Sequence, residues 1–286
     1  MTVFISDEEI SKFIQEDVPY FDLTTLALGI AEKKGKITYH TRHETVACGT
    51  EEAARVLEKC GAKVTTLVPS GSLLSDGELM LEAEGAAGTL HTAWKVSLNL
   101  LEYMSGVATR TNKLVTLARR ENPNITVAIT RKIFPGTKSL SVKAVLAGGA
   151  HLHRLGLSET VLVFKQHLVF MGGLSEFLHQ LEALKIECKE KKIGIEVDNE
   201  AQAFEVAEAG VDMVQFDKIP ANDLTKTVSN LKAKYPSLQI AAAGGINGEN
   251  VREYAATGVD ILVTTWPYFG KPADIQAKMH TLDIVV

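Results

Sequence analysis

Basic side chains occur in two pairs along the chain, each placed where an anion could be bound. Arg131 and Lys132 precede a Pro-Gly turn, and His153 and Arg154 follow the Gly-Gly pair at residues 148–149. An arginine holds a carboxylate or phosphate through two parallel hydrogen bonds, whereas a lysine acts as a point charge. If the fold brings both pairs together, they predict an anion site. Taken alone, each pair is also compatible with a solvated basic loop.

Two carboxylates stand in or at the end of apolar runs that are predicted to be strands. Glu196 lies inside one run and Asp217 ends another. A buried carboxylate is costly unless it is paired or binds a metal. If both face one pocket, they could hold Mg²⁺, directly or through water, or stabilise positive charge on a sugar ring. A structural ion pair between Glu196 and a neighbouring lysine is the alternative.

A glycine pair, Gly244 and Gly245, joins a predicted strand to a predicted helix, with Asn247 as the expected N-cap. Glycines let backbone amides approach a phosphate, and the N-terminus of a helix favours its negative charge. The position after a late strand favours a phosphate site, although an ordinary tight turn is the alternative.

Histidines at three nearby positions, His151, His153 and His167, resemble a metal site at first sight. No carboxylate stands at ligand spacing beside them. Hydrogen bonding or substrate contact is therefore favoured over zinc binding.

The elements that must position these groups change character near residue 110. Before it, half-buried strands are predicted at 36–42 and 78–84, and helices at 50–60 and 89–104. This mixture indicates an α+β sandwich.

After residue 110, short apolar runs alternate with helical stretches, which is typical of a parallel sheet with right-handed crossovers. The predicted strands are 125–130, 161–164, 193–197, 213–217, 240–243 and 261–265, and the predicted helices are 200–209, 223–235 and 249–257. Six strands rather than eight indicate an incomplete α/β barrel, and an open doubly wound sheet is the alternative. Barrel active sites lie at the C-terminal strand ends, where the groups described above fall.

Composition narrows the class of protein. The 286 residues suffice for one barrel and a smaller domain, and a net charge of −5 argues against a nucleic-acid surface. The three cysteines lie far apart without a CxxC pair, which favours a reduced compartment. We find neither a signal peptide nor an apolar run of membrane-spanning length, so we expect a cytoplasmic protein that acts on small molecules.

Taken together, the motifs resemble the quinolinate phosphoribosyltransferase (nicotinate-nucleotide pyrophosphorylase, carboxylating) family over nearly the whole chain. They are Asp22-Leu23-Thr24-Thr25, Ser105-Gly106-Val107-Ala108-Thr109, Thr130-Arg131-Lys132 with Pro135-Gly136, Gly148-Gly149 with His153-Arg154, Glu196, Asp217, Gly244-Gly245-Ile246 and residues 254–260. Singly, none of these motifs would be specific.

The resemblance implies a type II phosphoribosyltransferase fold. Residues 1–109 would form an open-faced N-terminal α+β sandwich, to which the tail 270–286 returns, and residues 110–269 an incomplete α/β barrel. It also implies transfer of ribose 5-phosphate from phosphoribosyl pyrophosphate (PRPP) to a nitrogen-heterocycle acid with Mg²⁺. Members are homodimers with sites shared between subunits, and a higher oligomer is also compatible.

The same resemblance assigns roles to residues. Glu196 and Asp217 are the expected catalytic and Mg²⁺-facing carboxylates. The residues expected to bind the acceptor are Lys95, Arg131, His153, Arg154, Lys165 and His167. Those expected to bind the phosphates of PRPP are Lys132, Gly244, Gly245, Asn247, Thr264 and Thr265.

Departures from the family pattern point to one of its branches. Trp94-Lys95 replaces Glu-Arg, Ala243 replaces Ser, and Val263-Thr264-Thr265 replaces Ser-x-Gly. A quinolinate-binding lysine becomes Phe164 when the histidines are aligned, or remains as Lys165 with a one-residue gap. These features are similar to the ModD branch, whose members are provisionally assigned as pyrophosphorylases associated with molybdenum transport.

The lost positive charge leads to a hypothesis about the acceptor. A buried carboxylate without a partner costs several kcal/mol, so quinolinate is expected to be a poor acceptor and the true one to carry fewer negative charges. Two alternatives stay open. One is an authentic quinolinate enzyme of NAD biosynthesis, and the other is a non-catalytic phosphometabolite- or oxyanion-binding protein linked to molybdate uptake.

Overall fold

The computed structural model describes residues 3–282 and forms two compact units. The first unit comprises residues 3–112, 133–149 and 267–282, and the second comprises residues 113–132 and 150–266. Residues 133–149, predicted to be part of the barrel, group with the first unit, and the predicted domain boundaries stay a prediction. Residues 283–286 of the predicted tail lie outside the described residues. No helix within 3–282 is long and apolar enough to cross a membrane.

The secondary structure alternates helices and strands along most of the chain. The strands are β1 (Lys34–Thr41), β2 (Thr45–Val46), β3 (Lys63–Leu67), β4 (Leu73–Leu74), β5 (Leu79–Ala86), β6 (Thr126–Ile129), β7 (His151–Leu152), β8 (Val161–Val163), β9 (Ile193–Val197), β10 (Met213–Asp217), β11 (Gln239–Ala243), β12 (Ile261–Thr264) and β13 (Ile275–Thr281). The helices are α1 (Asp7–Asp17), α2 (Leu23–Ala27), α3 (Thr50–Lys59), α4 (Ala87–Glu121), α5 (Lys138–Ala147), α6 (Lys165–Met171), α7 (Leu174–Glu187), α8 (Glu200–Glu208), α9 (Ala221–Lys234) and α10 (Val251–Ala255).

The first unit is built on an antiparallel sheet with the strand order β13-β1-β5-β3. Its strands place Ile37, Tyr39 and Leu81 in the core without solvent exposure. The Tyr39 hydroxyl lies 2.5 Å from the hydroxyl of Ser97 in α4, which satisfies a polar group that burial would otherwise penalise. Strand β13 pairs with β1 from Gly35 opposite Thr281 onward, so the end of the chain completes this sheet.

The first unit contains a cluster of three charges, of which Lys143 and Glu52 are buried and Glu51 is partly exposed. Lys143 Nζ lies 2.6 Å from Glu52 Oε2 and 2.8 Å from Glu51 Oε2. Burial alone would raise the pKa of Glu51, but hydrogen bonds from Lys143 and Ser70 outweigh burial and lower the pKa to about 2. Glu52 is only 3% exposed, so its charge depends on the lysine.

We expect Lys143→Met to lower the free energy of unfolding of the first unit by about 3 kcal/mol, because it leaves the buried carboxylate of Glu52 and the partly exposed carboxylate of Glu51 without a cation. Urea titration and thermal melting would measure the loss. Lys12→Met is the matched control, since it breaks only the exposed pair between Lys12 and Glu8. It should cause no measurable change. Equal stabilities of the two variants would contradict the prediction.

The second unit is built on a parallel sheet with the strand order β7-β6-β12-β11-β10-β9-β8. Along the chain, β6 is the first strand of this unit and β12 is the last. The two strands pair with each other, as the first and last strands of a closed barrel do. The break lies between β7 and β8, which occupy the two edges. This arrangement confirms the predicted incomplete α/β barrel and excludes the doubly wound alternative, whose strand order reverses in the middle of the sheet.

Small side chains form the interior of this sheet next to the strand ends. Ala128, Ala241, Ala243 and Val263 pack into one buried cluster. Because three of these residues are alanines, the space above them is not filled by bulky side chains. The sheet therefore has room for a cavity at the C-terminal ends of its strands.

Several predicted elements needed correction. The predicted helix at 89–104 is part of the 35-residue helix α4, and Gly106 does not end it. A Cβ at Gly106 would lie 2.9 Å from Ala273 N, so this glycine serves close packing of the backbones. Strand β7 has only two residues and was missed, as were α5, α6 and α7. The N-cap of α10 is Asn250 rather than Asn247.

Candidate active site

A cavity of about 680 Å³ opens at the C-terminal ends of the strands of the second unit. Every strand of the sheet contributes a residue at or near its end, as predicted for an α/β barrel site. The lining residues, all from this unit, are Thr130, Arg131, Lys132, His153, Arg154, Phe164, Glu196, Gln215, Asp217, Lys218, Ala243, Gly244, Gly245, Ile246, Asn247, Val263, Thr264, Thr265 and Trp266.

The two basic pairs meet in this cavity. Arg131 and Lys132 follow β6, and His153 and Arg154 follow β7, which is the neighbour of β6 in the sheet. Burial, together with the nearby Arg131, lowers the pKa of Arg154, but a guanidinium remains protonated at any physiological pH. These charges repel each other, and a bound anion would relieve that repulsion.

His153 differs from its basic neighbours because it is neutral at pH 7. Burial, and to a smaller extent the charge of Arg154, lowers the pKa of His153 to about 4. A neutral imidazole offers one donor and one acceptor instead of a charge. His153 can therefore orient a ligand by hydrogen bonding while the arginines balance the ligand's charge.

The two carboxylates face the same cavity from adjacent strands. Glu196 is half-buried in β9, and burial, together with the nearby Asp217, raises its pKa. Its oxygen Oε2 accepts a hydrogen bond from Gln215 Nε2 at 3.0 Å. Asp217 ends β10, with Oδ2 4.0 Å from the exposed Lys218 Nζ. Within residues 3–282, Glu196 forms no ion pair with a lysine, and Lys165 is paired with Asp198 instead, so the structural ion pair considered as an alternative is not observed there.

The glycine pair, Gly244 and Gly245, forms a turn that packs closely against the end of β10. Gly244 has φ +86°, and a Cβ there would lie 2.5 Å from Asp217 Oδ1 and 2.7 Å from Lys218 N. Gly245 has φ +77° and open space where its Cβ would be. Within residues 3–282, the amides of Gly245 and Ile246 donate to no acceptor. The turn therefore presents free backbone donors to the cavity.

The hydroxyls expected to bind phosphate are already engaged. Thr264 Oγ1 donates to Ile246 O at 2.6 Å and accepts from Trp266 N at 3.1 Å. Thr265 Oγ1 lies 2.9 Å from Thr130 Oγ1. Asn247 Nδ2 donates to Gly245 O at 3.1 Å. These bonds fix the shape of the turn, and phosphate contacts from these side chains stay a prediction.

Three residues predicted to bind the acceptor are not among the lining residues. Lys165 Nζ is paired with Asp198 Oδ1 at 2.5 Å, and His167 Nδ1 accepts from Phe164 N at 2.9 Å. The His167 ring also stacks on the Phe164 ring, with the centroids 5.9 Å apart. Lys95 belongs to the first unit, where its ammonium lies 4.4 Å from the Trp94 ring centroid. Their roles in binding the acceptor stay a prediction.

Lining residues that the sequence did not single out include Gln215 and Trp266, whereas Lys218 was noted as a residue at a strand end. Gln215 could have been identified from the sequence, because it is a polar residue inside a predicted apolar strand. Lys218 is the one non-glycine residue within 3–282 with a positive φ, +58°. Such strained backbone clusters at functional sites, but it cannot be identified before the structure is known.

Models of one protein family match nearly the whole chain. The N-terminal domain of quinolinate phosphoribosyl transferase matches residues 22–105, and its C-terminal domain matches residues 107–278. The chain belongs to the quinolinate phosphoribosyl transferase family. Its activity class is phosphoribosyl transfer, which is a pentosyltransferase reaction. The resemblance stated from the motifs is thereby confirmed.

Relatives of this quinolinate phosphoribosyl transferase family member fall into two groups. ModD of Rhodobacter capsulatus, provisionally named a pyrophosphorylase, is 41% identical over 247 residues, which are 86% of this chain and 94% of that protein. The carboxylating nicotinate-nucleotide pyrophosphorylase of Rattus norvegicus is 29% identical over 271 residues, 94% and 89% of the two chains. The crystal structure of the nicotinate-nucleotide pyrophosphorylase of Ehrlichia chaffeensis superimposes with a TM-score of 0.86 at 26% identity, covering 96% of this chain and 99% of that one. The chain is thus of the ModD type on the quinolinate phosphoribosyl transferase fold.

Proposed function

We propose that the protein binds PRPP in this cavity and transfers its ribose 5-phosphate to a nitrogen-heterocycle acid. The acid carries fewer negative charges than quinolinate. The observation that supports this most is the convergence of three kinds of group on one cavity: the cations after β6 and β7, the carboxylates of β9 and β10, and the Gly-Gly turn after β11. The cavity's volume of about 680 Å³ lies within the range of small-molecule sites.

The proposed reaction is a displacement at the anomeric carbon of the ribose. The lone pair of the acceptor's ring nitrogen forms the new C–N bond as the C–O bond to pyrophosphate breaks, and the bonding electrons leave with pyrophosphate. Glu196 and Asp217 stabilise the positive charge that develops on the ribose ring. No side chain forms a covalent bond, so the cations contribute mainly by orienting the two substrates.

The phosphate of the ribose is assigned to the glycine turn. The amides of Gly245 and Ile246, which have no acceptor within residues 3–282, supply hydrogen-bond donors. Lys132 supplies a positive charge in the same cavity. The acceptor is assigned to the space bounded by Arg131, Arg154 and the Phe164 ring. Because the Phe164 ring forms an apolar wall there, the site carries less positive charge beside the acceptor than a lysine at that position would supply.

The carboxylates of the cavity fit a magnesium ion that is shared with the substrate. Within residues 3–282, no three His, Cys, Asp or Glu side chains form a ligand cluster of their own. Mg²⁺ is commonly held by one or two carboxylates together with substrate phosphates and water, and the oxygens of Glu196 and Asp217 match that donor chemistry. When bound, Mg²⁺ would neutralise charge on the leaving pyrophosphate.

The decisive experiment measures pyrophosphate release from Mg²⁺-PRPP across a panel of pyridine and other heterocyclic acids, including quinolinate and monocarboxylates. We expect turnover with at least one monocarboxylate. Tight PRPP binding with no release for any acceptor would instead favour the phosphometabolite- or oxyanion-binding alternative. Efficient turnover of quinolinate would favour an authentic enzyme of NAD biosynthesis.

The phosphate assignment predicts a selective loss in Gly245→Ala. A Cβ there enters open cavity space, so we expect the Kd for PRPP to rise roughly tenfold, with a fold destabilisation of only about 1 kcal/mol from the left-handed backbone. Isothermal titration calorimetry would measure the affinity and thermal melting the stability.

Gly258→Ala is the matched control for this variant. Gly258 has φ +86° and lies outside the cavity lining, with Val228 3.5 Å from the position of the added Cβ. The Gly258→Ala variant should be destabilised to a similar degree as Gly245→Ala and should bind PRPP with the affinity of the parent protein. Unchanged PRPP affinity in Gly245→Ala would show that the glycine turn does not bind the phosphate.

We infer further that two copies of the chain associate. The first unit exposes large apolar side chains between residues 20 and 28, with Tyr20 90% and Leu23 67% exposed. Exposed apolar surface of this kind marks interaction sites. Light scattering should give twice the chain mass of 31.0 kDa. The double variant Leu23→Glu, Leu26→Glu should be monomeric, and a monomeric parent at micromolar concentration would contradict the inference.

A further inference from the structure

Gln215 lies in the floor of the cavity and has no role in the reaction described so far. The residue is 4% exposed, and its Nε2 donates to Glu196 Oε2 at 3.0 Å. Its Oε1 is buried and accepts no hydrogen bond from any residue within 3–282. A buried amide oxygen without a donor weakens a fold. Stability alone therefore gives no reason for a glutamine at this position.

The register of the sheet explains why the glutamine reaches the acid. Gln215 of β10 stands directly opposite Glu196 of β9, and on its other side it faces the small Ala241 of β11. Asp217 is two residues further along β10 and so points to the same face. Gln215 thus fills the space beneath both carboxylates.

In the part of the chain that the structure describes, residues 3–282, the amide of Gln215 is the one hydrogen-bond donor to the Glu196 carboxylate. The charged groups that influence it are Asp217, Lys165 and Asp198. Asp217 repels it, and the ammonium of Lys165 is held by Asp198 at 2.5 Å. Without a donor beneath it, the carboxylate would be free to turn away from Asp217 toward solvent. The amide of Gln215 opposes that rotation.

We propose that Gln215 is a positioning residue, which holds the Glu196 carboxylate in the orientation that faces the ribose ring of the substrate. The inference rests on the proposed function, since it assigns Gln215 to the same reaction. Catalytic groups need a surrounding shell that locks their rotamers to within a fraction of an ångström. The unpartnered oxygen is then the consequence of directing the amide's donor at Glu196.

The test uses Gln215→Met, which keeps the length of the side chain and removes both polar atoms. We expect kcat to fall roughly tenfold or more, because the carboxylate is no longer held, while KM for PRPP changes less than about twofold. The melting temperature should stay the same or rise, because an unpartnered buried oxygen has been removed. A merely structural glutamine would give the opposite: a lower melting temperature with unchanged kcat.

Gln239→Met is the matched control, because Gln239 begins the neighbouring strand β11 at the end away from the cavity. It should leave kcat unchanged. A double-mutant cycle adds a second criterion: in a Glu196→Gln background, Gln215→Met should cause no further loss, because the two residues act as one unit. Additive losses would overturn the proposal.

A crystal structure of Gln215→Met separates this inference from the proposed function. We expect the Glu196 carboxylate to occupy a different rotamer from that of the parent structure. An unmoved carboxylate would overturn the positioning role even if the enzyme is active. If the parent releases no pyrophosphate with any acceptor, the proposed function fails, and the rotamer of Glu196 still decides whether Gln215 positions it.

Discussion

Glu196→Gln is expected to lower kcat by about a thousandfold, since it removes a fixed negative charge at the place where positive charge develops on the ribose. The substitution conserves volume, and the new amide oxygen can still accept the hydrogen bond from Gln215. Folding and PRPP binding should therefore change little. The loss should be larger in kcat than in KM, because the positive charge on the ribose that Glu196 stabilises develops in the transition state.

Asp217→Asn should lose activity for the same reason, by about a hundredfold or more. Steady-state pyrophosphate release would give both rate constants, and thermal melting would show that each variant is folded. Glu205→Gln is the control: it makes the same chemical change on the exposed face of α8, away from the cavity. Full activity in the double variant of Glu196 and Asp217 would refute the assignment of these residues to the reaction.

The second large effect concerns the choice of acceptor. We expect kcat/KM for quinolinate to be at least about a hundredfold below that for the preferred monocarboxylate, because Phe164 and Lys95 reduce the group of cations that would neutralise and orient two carboxylates. The structural reason is the Phe164 ring, which lies 5.9 Å from the guanidinium carbon of Arg154. An apolar wall occupies the place where a dicarboxylate site needs charge.

Phe164→Lys should raise kcat/KM for quinolinate about tenfold, by placing a cation beside Arg154. Phe164→Leu is the control, since it opens the same space without adding charge and should leave quinolinate a poor acceptor. Competition experiments with both acceptors would show the change directly. Efficient use of quinolinate by the parent protein would contradict the hypothesis that the acceptor carries fewer charges.

The fold class and the location of the candidate site could be predicted from local features of the sequence. The alternation of apolar runs with helical stretches predicted the parallel sheet, because each pattern depends on neighbouring residues only. Right-handed crossovers then place all C-terminal strand ends on one edge. Arg131, His153, Glu196, Asp217 and Gly244 could therefore be grouped into one site before the structure was known.

Other features depend on residues that are distant in the sequence. The predicted helix at 89–104 ended before the close contact at Gly106, where α4 continues and the missing side chain admits the backbone at Ala273. The ion pair between Lys165 and Asp198 was not predicted either, and the role of Lys165 in binding the acceptor stays a prediction. Neither contact leaves a periodic signal in the chain.

The sequence by itself determined the fold class, the family and the chemical types of the groups at the strand ends, because periodicity and motif spacing are local properties. Only the tertiary structure decided which of those groups share the cavity, that His153 is neutral there, and that Gln215 stands beneath Glu196. These outcomes follow from strand register and burial. Both are set by packing between segments far apart in the chain.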